Sequence, residues 1–231
     1  MLPDYEEFRR RADAVRARIE QACGQARRDA SGVELLAVTK FFPAEAVGYA
    51  ARYGLRAVGE NRVQEGAEKR KLARAAISWE LIGHLQSNKA RLAVGSFDRI
   101  QSVDSVKLLQ VIDRNAAELG KTQAVLLQVN SGHDPAKSGV DPEEAEALLS
   151  AALALKNVLV EGLMAIAPLS DDPSVARRTF AALRETRDRL RAAAGSPLPV
   201  LSMGMSGDLE AAIQEGSTLV RVGSALFGAR S

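Results

Sequence analysis

The sequence predicts an α/β fold, namely a (β/α)8 TIM barrel with an extra N-terminal helix. Short apolar runs typical of buried parallel strands alternate with segments of helical periodicity, and eight such strands can be identified. Eight βα units in about 200 residues match the lower end of the size range of this barrel. An open doubly wound sheet is the alternative, although no Gly-x-Gly-x-x-Gly turn follows the first strand to favour a dinucleotide-binding version.

A helix is predicted over residues 4–29, ahead of the first strand. Pro3 and Asp4 are suitable starting residues, and Ser31-Gly32 interrupts the chain before the strand. Apolar residues recur every three or four positions along one side of this helix, namely Phe8, Ala12, Val15, Ile19, Ala22 and Ala26. Because such a stripe must be buried, we expect the helix to pack on the barrel.

The barrel strands are predicted from apolar runs bounded by turn residues. The first run begins at residue 33 and ends at Lys40, and the others cover residues 55–58, 78–82, 99–103, 123–129, 158–165, 200–203 and 219–222. Helices are predicted between them over residues 44–53, 62–76, 88–94, 106–119, 142–155, 173–194 and 208–215. No Pro-, Gly- or Ser-rich linker is evident, so we expect residues 1–231 to form a single domain with the barrel over residues 33–228.

The composition favours a cytoplasmic enzyme or small-molecule binder. A net charge of +2 gives no reason to expect a nucleic-acid partner, and no apolar run approaches the roughly 20 residues of a membrane span. The single cysteine, Cys23, excludes an intrachain disulfide, and two histidines leave no zinc motif. The acidic N-terminus has no signal-peptide pattern.

Lys40 is the charged residue at the carboxyl end of the first strand, where α/β sheets place their chemistry. Apolar surroundings disfavour the ammonium form, so the pKa of such an amine falls and its nucleophilicity rises. Lys40 is therefore a candidate Schiff-base lysine. The alternative is a strand-end lysine whose ammonium simply reaches water.

Two glycine-containing loops follow strands seven and eight, over residues 203–208 and 223–228. This is where phosphate sites are usually built in this barrel, and backbone N–H groups at helix starts favour anions. Arg221 lies within strand eight on the same face as Leu219 and should point to the barrel interior. Glycines that merely turn the chain, and an internal salt bridge between Arg221 and a carboxylate such as Glu60, are the alternatives.

Together, the lysine, the two loops and the arginine describe a pocket for pyridoxal 5′-phosphate (PLP). The amine suits the aldehyde, the loops suit the phosphate and the guanidinium suits the ring nitrogen. Further polar residues follow other strands and are expected at the same rim: Glu60, Asn61, His84, Asn88 and Lys137. Lys137 could be a second amine that receives PLP during hand-over, or a solvated loop lysine.

Collinear motifs run over almost the whole chain: residues 35–40 (LLAVTK), 59–65 (GENRVQE), 82–89 (IGHLQSNK), 100–104 (IQSVD), 137–139 (KSG), 162–166 (GLMAI), 201–206 (LSMGMS) and 221–228 (RVGSALFG). In these motifs the sequence resembles the pyridoxal phosphate homeostasis proteins, single-domain PLP binders with an alanine-racemase-type barrel. Departures occur at Val58, Glu80, Gly207 and Ser224. These four positions lie outside Lys40 and Arg221, which both match.

The resemblance implies that PLP is bound covalently on Lys40 as a Schiff base. It implies contacts with the phosphate or the ring from Asn61, Met203, Ser206, Gly207, Arg221, Gly223 and Ser224. With the composition considered above, we expect a monomer that takes part in PLP homeostasis, with PLP and apo PLP-dependent enzymes as partners and no nucleic acid or membrane.

The resemblance leaves catalysis as the open alternative. An arginine at the ring nitrogen disfavours the protonation that carbanion chemistry needs, and racemisation needs an acid–base group on each face of the ligand. Racemases of this fold use a tyrosine from an additional domain of a partner subunit. Here the three tyrosines are at positions 5, 49 and 53, none at a strand end, and the chain stops soon after strand eight. We expect a non-catalytic carrier, with an amino-acid racemase as the alternative and a Schiff-base aldolase as a weaker third.

Overall fold

Eight parallel strands close into one barrel in the computed structural model, which describes residues 2–228. The strands follow one another around the barrel in chain order, and β1 pairs with β8 to close it. They are β1 (Glu34–Val38), β2 (Ala57–Glu60), β3 (Ser78–Leu81), β4 (Arg99–Val103), β5 (Gln123–Gln128), β6 (Val158–Met164), β7 (Val200–Ser202) and β8 (Leu219–Val222). The predicted barrel is confirmed, and the open doubly wound sheet is excluded because such a sheet has two unpaired edges.

Helices connect the strands and surround the barrel. They are α1 (Tyr5–Gln25), α2 (Glu45–Arg52), α3 (Val63–Leu72), α4 (Ala90–Ser96), α5 (Val106–Glu118), α6 (Ala145–Leu153), α7 (Pro173–Ala194), α8 (Leu209–Gln214) and α9 (Ser224–Phe227). Short 3-10 turns occupy Ala30–Gly32 and Ser87–Lys89. None of the helices in residues 2–228 has the length and apolar character needed to cross a membrane.

The first helix is shorter than the sequence predicts, because α1 ends at Gln25 rather than at residue 29. Arg27 adopts a left-handed conformation with φ of 52°, which ends the helical path. The turn brings the Arg28 guanidinium to the carbonyl oxygens of Ile213 and Ser217, at 2.5 and 2.7 Å. These tertiary bonds to the C-terminal end of α8 compensate for the lost helical turn.

Strand alternation divides the apolar core into two parts. Inside the barrel, one cluster of buried side chains comprises Leu36, Val38, Ala57, Ile82 and Leu219. The larger cluster lies outside the strands and includes their alternate residues, such as Val220 and Val222 on β8. Residues at odd positions of β8, Arg221 among them, therefore belong to the barrel interior.

The N-terminal helix packs on the last two helices of the chain. The Phe8 ring stacks on Phe227 with centroids 5.1 Å apart, and Phe42 contacts the same ring at 5.0 Å. Arg18 donates to the Glu210 carboxylate at 2.7 Å and to the carbonyl oxygen of Ser206 at 3.0 Å. The predicted docking of the apolar stripe is confirmed, since the stripe lies against α8 and α9.

Gly162 on β6 is expected to tolerate no side chain, because a Cβ there would lie 1.9 Å from the carbonyl oxygen of Val200 on β7. Gly162→Ala should lower the free energy of unfolding by about 3 kcal/mol, as the strands must separate locally. Urea unfolding measures the change. The matched control is Gly24→Ala in α1, where nothing lies within 4 Å and alanine should stabilise the helix by about 0.5–1 kcal/mol. Equal stability of the two variants would contradict the close approach.

Candidate functional site

One cavity at the carboxyl end of the barrel brings together most of the predicted cofactor-binding residues. It has a volume of about 300 Å³ and is lined by Val38, Lys40, Asn61, Ile82, Ile166, Met205, Ser206, Gly207, Arg221, Gly223 and Ser224. Of the predicted cofactor-binding residues, only Met203 is missing from this lining. The cavity thus joins the first two strands to the loops that follow the last two.

Lys40 lies two residues beyond the end of β1, and its side chain reaches the cavity wall. Its Nζ atom is 3.5 Å from Oδ1 of Asn61, which follows β2. The two strands are neighbours in the barrel, so adjacent strand ends bring the amine and the amide together. Asn61 is thereby in a position to orient the amine.

A buried cluster fixes Thr39, the residue before Lys40. The Thr39 hydroxyl donates to Glu60 Oε1 at 2.6 Å, and the Thr39 carbonyl oxygen accepts from Lys69 Nζ at 2.9 Å. Lys69 also forms an ion pair with Glu60 at 2.6 Å. The Glu60 side chain is fully buried and that of Lys69 is only 7% exposed, so α3 is joined to the end of β1 through a desolvated charge pair.

The residue after Lys40 is fixed by the same cluster. The backbone N–H of Phe41 donates to Glu65 Oε1 at 2.8 Å, and Glu65 in turn is 3.3 Å from Lys69 Nζ. Phe41 adopts a φ of 70°, a conformation that costs a non-glycine residue energy and persists only where contacts enforce it. Both neighbours of Lys40 are therefore held by groups that Lys69 brings together.

Glu60 does not pair with Arg221, which was one alternative considered from the sequence. Glu60 points outward from β2 to Lys69 on α3, whereas Arg221 points into the barrel. Burial raises the pKa of Glu60, and the Lys69 ammonium opposes that rise. Oε2 of Glu60 has no hydrogen-bond partner within residues 2–228. Lys69, which the sequence analysis did not consider, could have been suspected only from its position on the inner face of α3.

Arg221 is buried in the barrel interior, with 4% of its surface exposed, and contributes to the cavity wall. Its Nη1 donates to the carbonyl oxygen and the hydroxyl of Ser202 at 2.7 and 2.6 Å. Its Nη2 donates to the carbonyl oxygen of Ala165 at 2.8 Å. Burial lowers the pKa of Arg221 to about 10, so the guanidinium stays charged at neutral pH.

Two short loops form the opposite wall of the cavity. The Ser224 hydroxyl donates to the Ser206 hydroxyl at 3.2 Å, and the backbone N–H of Ala225 donates to the same oxygen at 3.4 Å. The loop after β7 is closed by Asp208, whose carboxylate accepts from the N–H of Met205. Burial raises the pKa of Asp208. Hydroxyls and backbone amides from both loops are thus presented to one small volume.

Met203 is fully buried in the outer core, because it is the next residue after Ser202 on β7 and alternation turns it towards the helices. Met205, two residues later and 38% exposed, lines the cavity. The sequence analysis missed this residue because it treated the loop as a run of backbone donors.

The remaining rim candidates do not line the cavity. His84 and Asp104 approach each other at 3.6 Å after β3 and β4, and more than half of the His84 side chain is exposed. The backbone N–H of Lys137 donates to the carbonyl oxygen of Asp134 at 2.9 Å in the turn that follows β5. Within residues 2–228, no group of three or more His, Cys, Asp or Glu side chains could hold a metal ion.

Residues 11–231 match the family model described as alanine racemase, N-terminal domain. A protein of Aquifex aeolicus named pyridoxal phosphate homeostasis protein is 41% identical over 95% of this chain and 97% of its own length. One of Pseudomonas aeruginosa with the same name is 44% identical over 94% and 93%. The structure of PipY from Synechococcus elongatus with PLP bound superposes with a TM-score of 0.85, at 39% identity, and covers 96% of this chain and all of that one.

A Clostridium difficile alanine racemase superposes with a TM-score of 0.79 at 18% identity. The match covers 97% of this chain and 57% of the racemase chain. At this identity the similarity concerns the barrel fold alone.

Lys69→Met should destabilise the protein by about 3 kcal/mol at neutral pH, since it leaves the Glu60 carboxylate buried without its cation. In the variant, burial raises the pKa of Glu60 and no ammonium opposes that rise. The variant therefore keeps its stability below the pKa that Glu60 has in the unfolded chain, and loses it as pH rises through the pKa of the folded state. The destabilisation should therefore shrink on going from pH 7 to about pH 4.

Denaturant unfolding of parent and variant at the two pH values measures this effect. The control is Lys71→Met on the same helix, whose ion pair with Glu68 is exposed and should contribute less than about 0.5 kcal/mol. A loss for Lys69→Met that is small, or that grows towards acid pH, would show that the buried pair does not stabilise this junction.

Proposed function

The chain belongs to the pyridoxal phosphate homeostasis proteins, and on this premise we propose that it binds PLP in the cavity around Lys40 and holds it for delivery to other proteins. The observation that carries the proposal is that Lys40, Arg221 and the two Ser/Gly loops line the same cavity. The PLP-bound structure of the homologous PipY supports it. When bound, PLP supplies an aldehyde for an amine and a ring that can accept electron density.

The residues present fit this ligand. The cavity, at about 300 Å³, lies at the lower end of the range for small-molecule sites and has a cation at one wall and two sets of N–H and O–H donors at another. A Cβ added at Gly207 would meet no atom within 4 Å, so this backbone borders open space that a ligand can fill. The cavity wall therefore offers a complementary group to the phosphate, to the aromatic ring and to the aldehyde of PLP.

Lys40 is proposed to hold the ligand covalently. Its neutral amine attacks the aldehyde carbon, the C=N bond of a Schiff base forms, and the aldehyde oxygen leaves as water. Asn61, 3.5 Å from Nζ, orients the amine and borders the ring. The fixed backbone of Thr39 and Phe41 keeps the starting point of the side chain in place.

The two loops are proposed to bind the phosphate. Ser206, Gly207, Gly223 and Ser224 supply hydroxyls and backbone N–H groups, which are good donors to phosphate oxygens. Arg221 is proposed to donate to the ring nitrogen. Met205 would make the apolar contact with the ring that the family resemblance assigns to Met203, because Met205 lines the cavity.

We propose that the protein does not turn over amino acids. A charged arginine at the ring nitrogen disfavours protonation of that nitrogen and so weakens carbanion chemistry. The three tyrosines lie in or directly after α1 and α2, and Tyr5 packs against Tyr49 with ring centroids 5.4 Å apart. Tyr53 donates to Asp13, and burial together with this carboxylate raises its pKa to about 12. None of these phenols is placed to exchange a proton with a ligand on Lys40.

We further propose that the protein is located in the cytoplasm, is a monomer and delivers PLP to apo PLP-dependent enzymes. The single, buried cysteine suits a reducing compartment, although it does not require one. Sedimentation velocity of the loaded protein tests the monomer directly, and a second species that grows with concentration would contradict it.

Lys40→Ala should abolish covalent PLP binding. The parent, mixed with PLP, should show the visible absorbance of a Schiff base, and borohydride should attach the ligand irreversibly to the peptide that contains Lys40. The variant should show neither. Lys137→Ala is the matched control, since this lysine lies outside the cavity, and it should keep both signals. Borohydride labelling at another lysine of the parent would reject the assignment.

A scavenger that traps free PLP is added to the loaded protein together with an apo PLP-dependent enzyme. The enzyme should then be reactivated faster than PLP released into solution can account for. With a panel of amino acids in deuterated water, the loaded protein should exchange the α-proton no faster than free PLP does. Transfer limited to free diffusion would contradict the delivery role. Exchange at a rate typical of enzymes, on the order of 1 s⁻¹ or more, would establish the racemase alternative instead.

A further inference from the structure

A row of polar side chains crosses the interior of the barrel below the cavity. It consists of Glu80 on β3, Gln101 on β4, Ser202 on β7 and Arg221 on β8. Each is at most 4% exposed, and the row lies in the same interior as the apolar cluster that contains Leu36, Ile82 and Leu219. Buried polar groups are costly unless they are paired, so a continuous row of this kind needs a reason.

Three members of the row, Arg221, Ser202 and Gln101, each donate to the next in the same direction. Arg221 Nη1 donates to the Ser202 hydroxyl oxygen at 2.6 Å, and this hydroxyl donates to Gln101 Oε1 at 2.6 Å. Gln101 Nε2 then donates to Glu80 Oε2 at 2.5 Å. The chain thus begins at a guanidinium and ends at a carboxylate.

The carboxylate end of the row is anchored at the opposite mouth of the barrel. Arg99 donates to Glu80 through Nε at 3.0 Å and through Nη2 at 2.5 Å, which is a two-pronged pair. Arg99 Nη1 donates to Glu161 at 2.9 Å. Burial disfavours the charge of Arg99, but its bonds to the two glutamates raise its pKa above the ordinary value. The two-pronged pair thereby fixes the Glu80 carboxylate where it also accepts from Gln101 inside the barrel.

We infer that Gln101 and Ser202 form a positioning relay through which Glu80 stabilises the charge of Arg221 and fixes the plane of its guanidinium against the ligand ring. The role of Arg221 towards the ring rests on the proposed function, whereas the relay itself is a property of the ligand-free protein. No residue of the relay other than Arg221 lines the cavity. Glu80, Gln101 and Ser202 therefore act on the ligand only through Arg221.

The relay works because all of its hydrogen bonds are donated in the same direction, from Arg221 towards Glu80. In a medium of low dielectric constant, each hydrogen bond polarises the next, so the charge on Glu80 strengthens the bond that Ser202 makes with Arg221. The carboxylate also decides which way the Gln101 amide points, because only the NH₂ group can donate to it. With the amide reversed, its NH₂ group would face the Ser202 hydroxyl, which would then accept instead of donating.

A double-mutant cycle on the ligand-free protein tests the relay without reference to PLP. Glu80→Gln and Ser202→Ala are compared singly and together by urea unfolding. Although these side chains share no hydrogen bond, their effects on the unfolding equilibrium constant should be non-additive by roughly fivefold or more. In the control cycle, Glu161→Gln takes the place of Glu80→Gln. Glu161 is the other carboxylate that accepts from Arg99, but it lies outside the relay, so its effect should be additive with that of Ser202→Ala. Additivity in both cycles would overturn the relay.

A binding experiment tests the consequence of the relay for the ligand. Gln101→Met, which breaks the row at its centre, should weaken PLP binding about fivefold or more and shift the visible absorbance of the loaded protein. Its affinity for the carbocyclic analogue of PLP, in which C–H replaces the ring nitrogen, should change less than about twofold. Equal losses for both ligands would mean that Gln101→Met acts through general structure and would overturn the role towards the ring.

The two measurements separate the inference from the proposed function. If the parent binds no PLP, the proposed function fails, and the double-mutant cycle still decides whether Glu80 and Ser202 are coupled. If Glu80→Gln does not fold, a cycle between Gln101→Met and Arg221→Met in the ligand-free protein measures the same relay, and additivity there would overturn it.

Discussion

The charge of Arg221, held inside a closed barrel, is the constraint on which the arrangement of the site depends. A guanidinium with only 4% of its surface exposed needs hydrogen-bond acceptors from the protein, since little water reaches it. Ser202 and Ala165 meet that requirement from β7 and from the end of β6, so three adjacent strands converge on one cation. The cavity that Arg221 lines opens at the carboxyl end of the barrel, so a ligand can approach this charge from that side.

The amine and the cation are held by different means. Arg221 is fixed from within the barrel by strand carbonyls, whereas the backbone around Lys40 is fixed from outside by an ion pair between β2 and α3. The ion pair between Glu60 and Lys69 therefore fixes the backbone on which the Lys40 side chain stands, and Asn61 lies 3.5 Å from its Nζ atom. The amine and the guanidinium thus reach the same cavity from supports that do not share a residue.

Periodicity and turn residues were sufficient to predict the barrel, and β4 and β8 have the predicted bounds because both are short and bounded by turn residues. The rule that residues at the carboxyl ends of barrel strands meet at one rim also identified Lys40 and Arg221, which share one cavity. It could not identify Lys69, since a charged residue on an amphipathic helix gives no sign that its partner is a buried glutamate. The family resemblance assigned Met203 to the ring, but Met203 does not line the cavity, because pleating at the end of a three-residue strand decides whether a side chain faces the core or the cavity.

The pairing of β1 with β8 has a consequence for how the site comes into being. The groups that form the cavity come from both ends of the sequence, and the bond from Arg18 to Glu210 spans 192 positions. Bringing such distant segments together carries the largest loop-closure entropy in the molecule, so it is the slowest kind of contact to form. In a chain that is still growing on the ribosome, the cavity is therefore incomplete until strand eight has emerged and closed the barrel. The cavity is a product of the last step of folding.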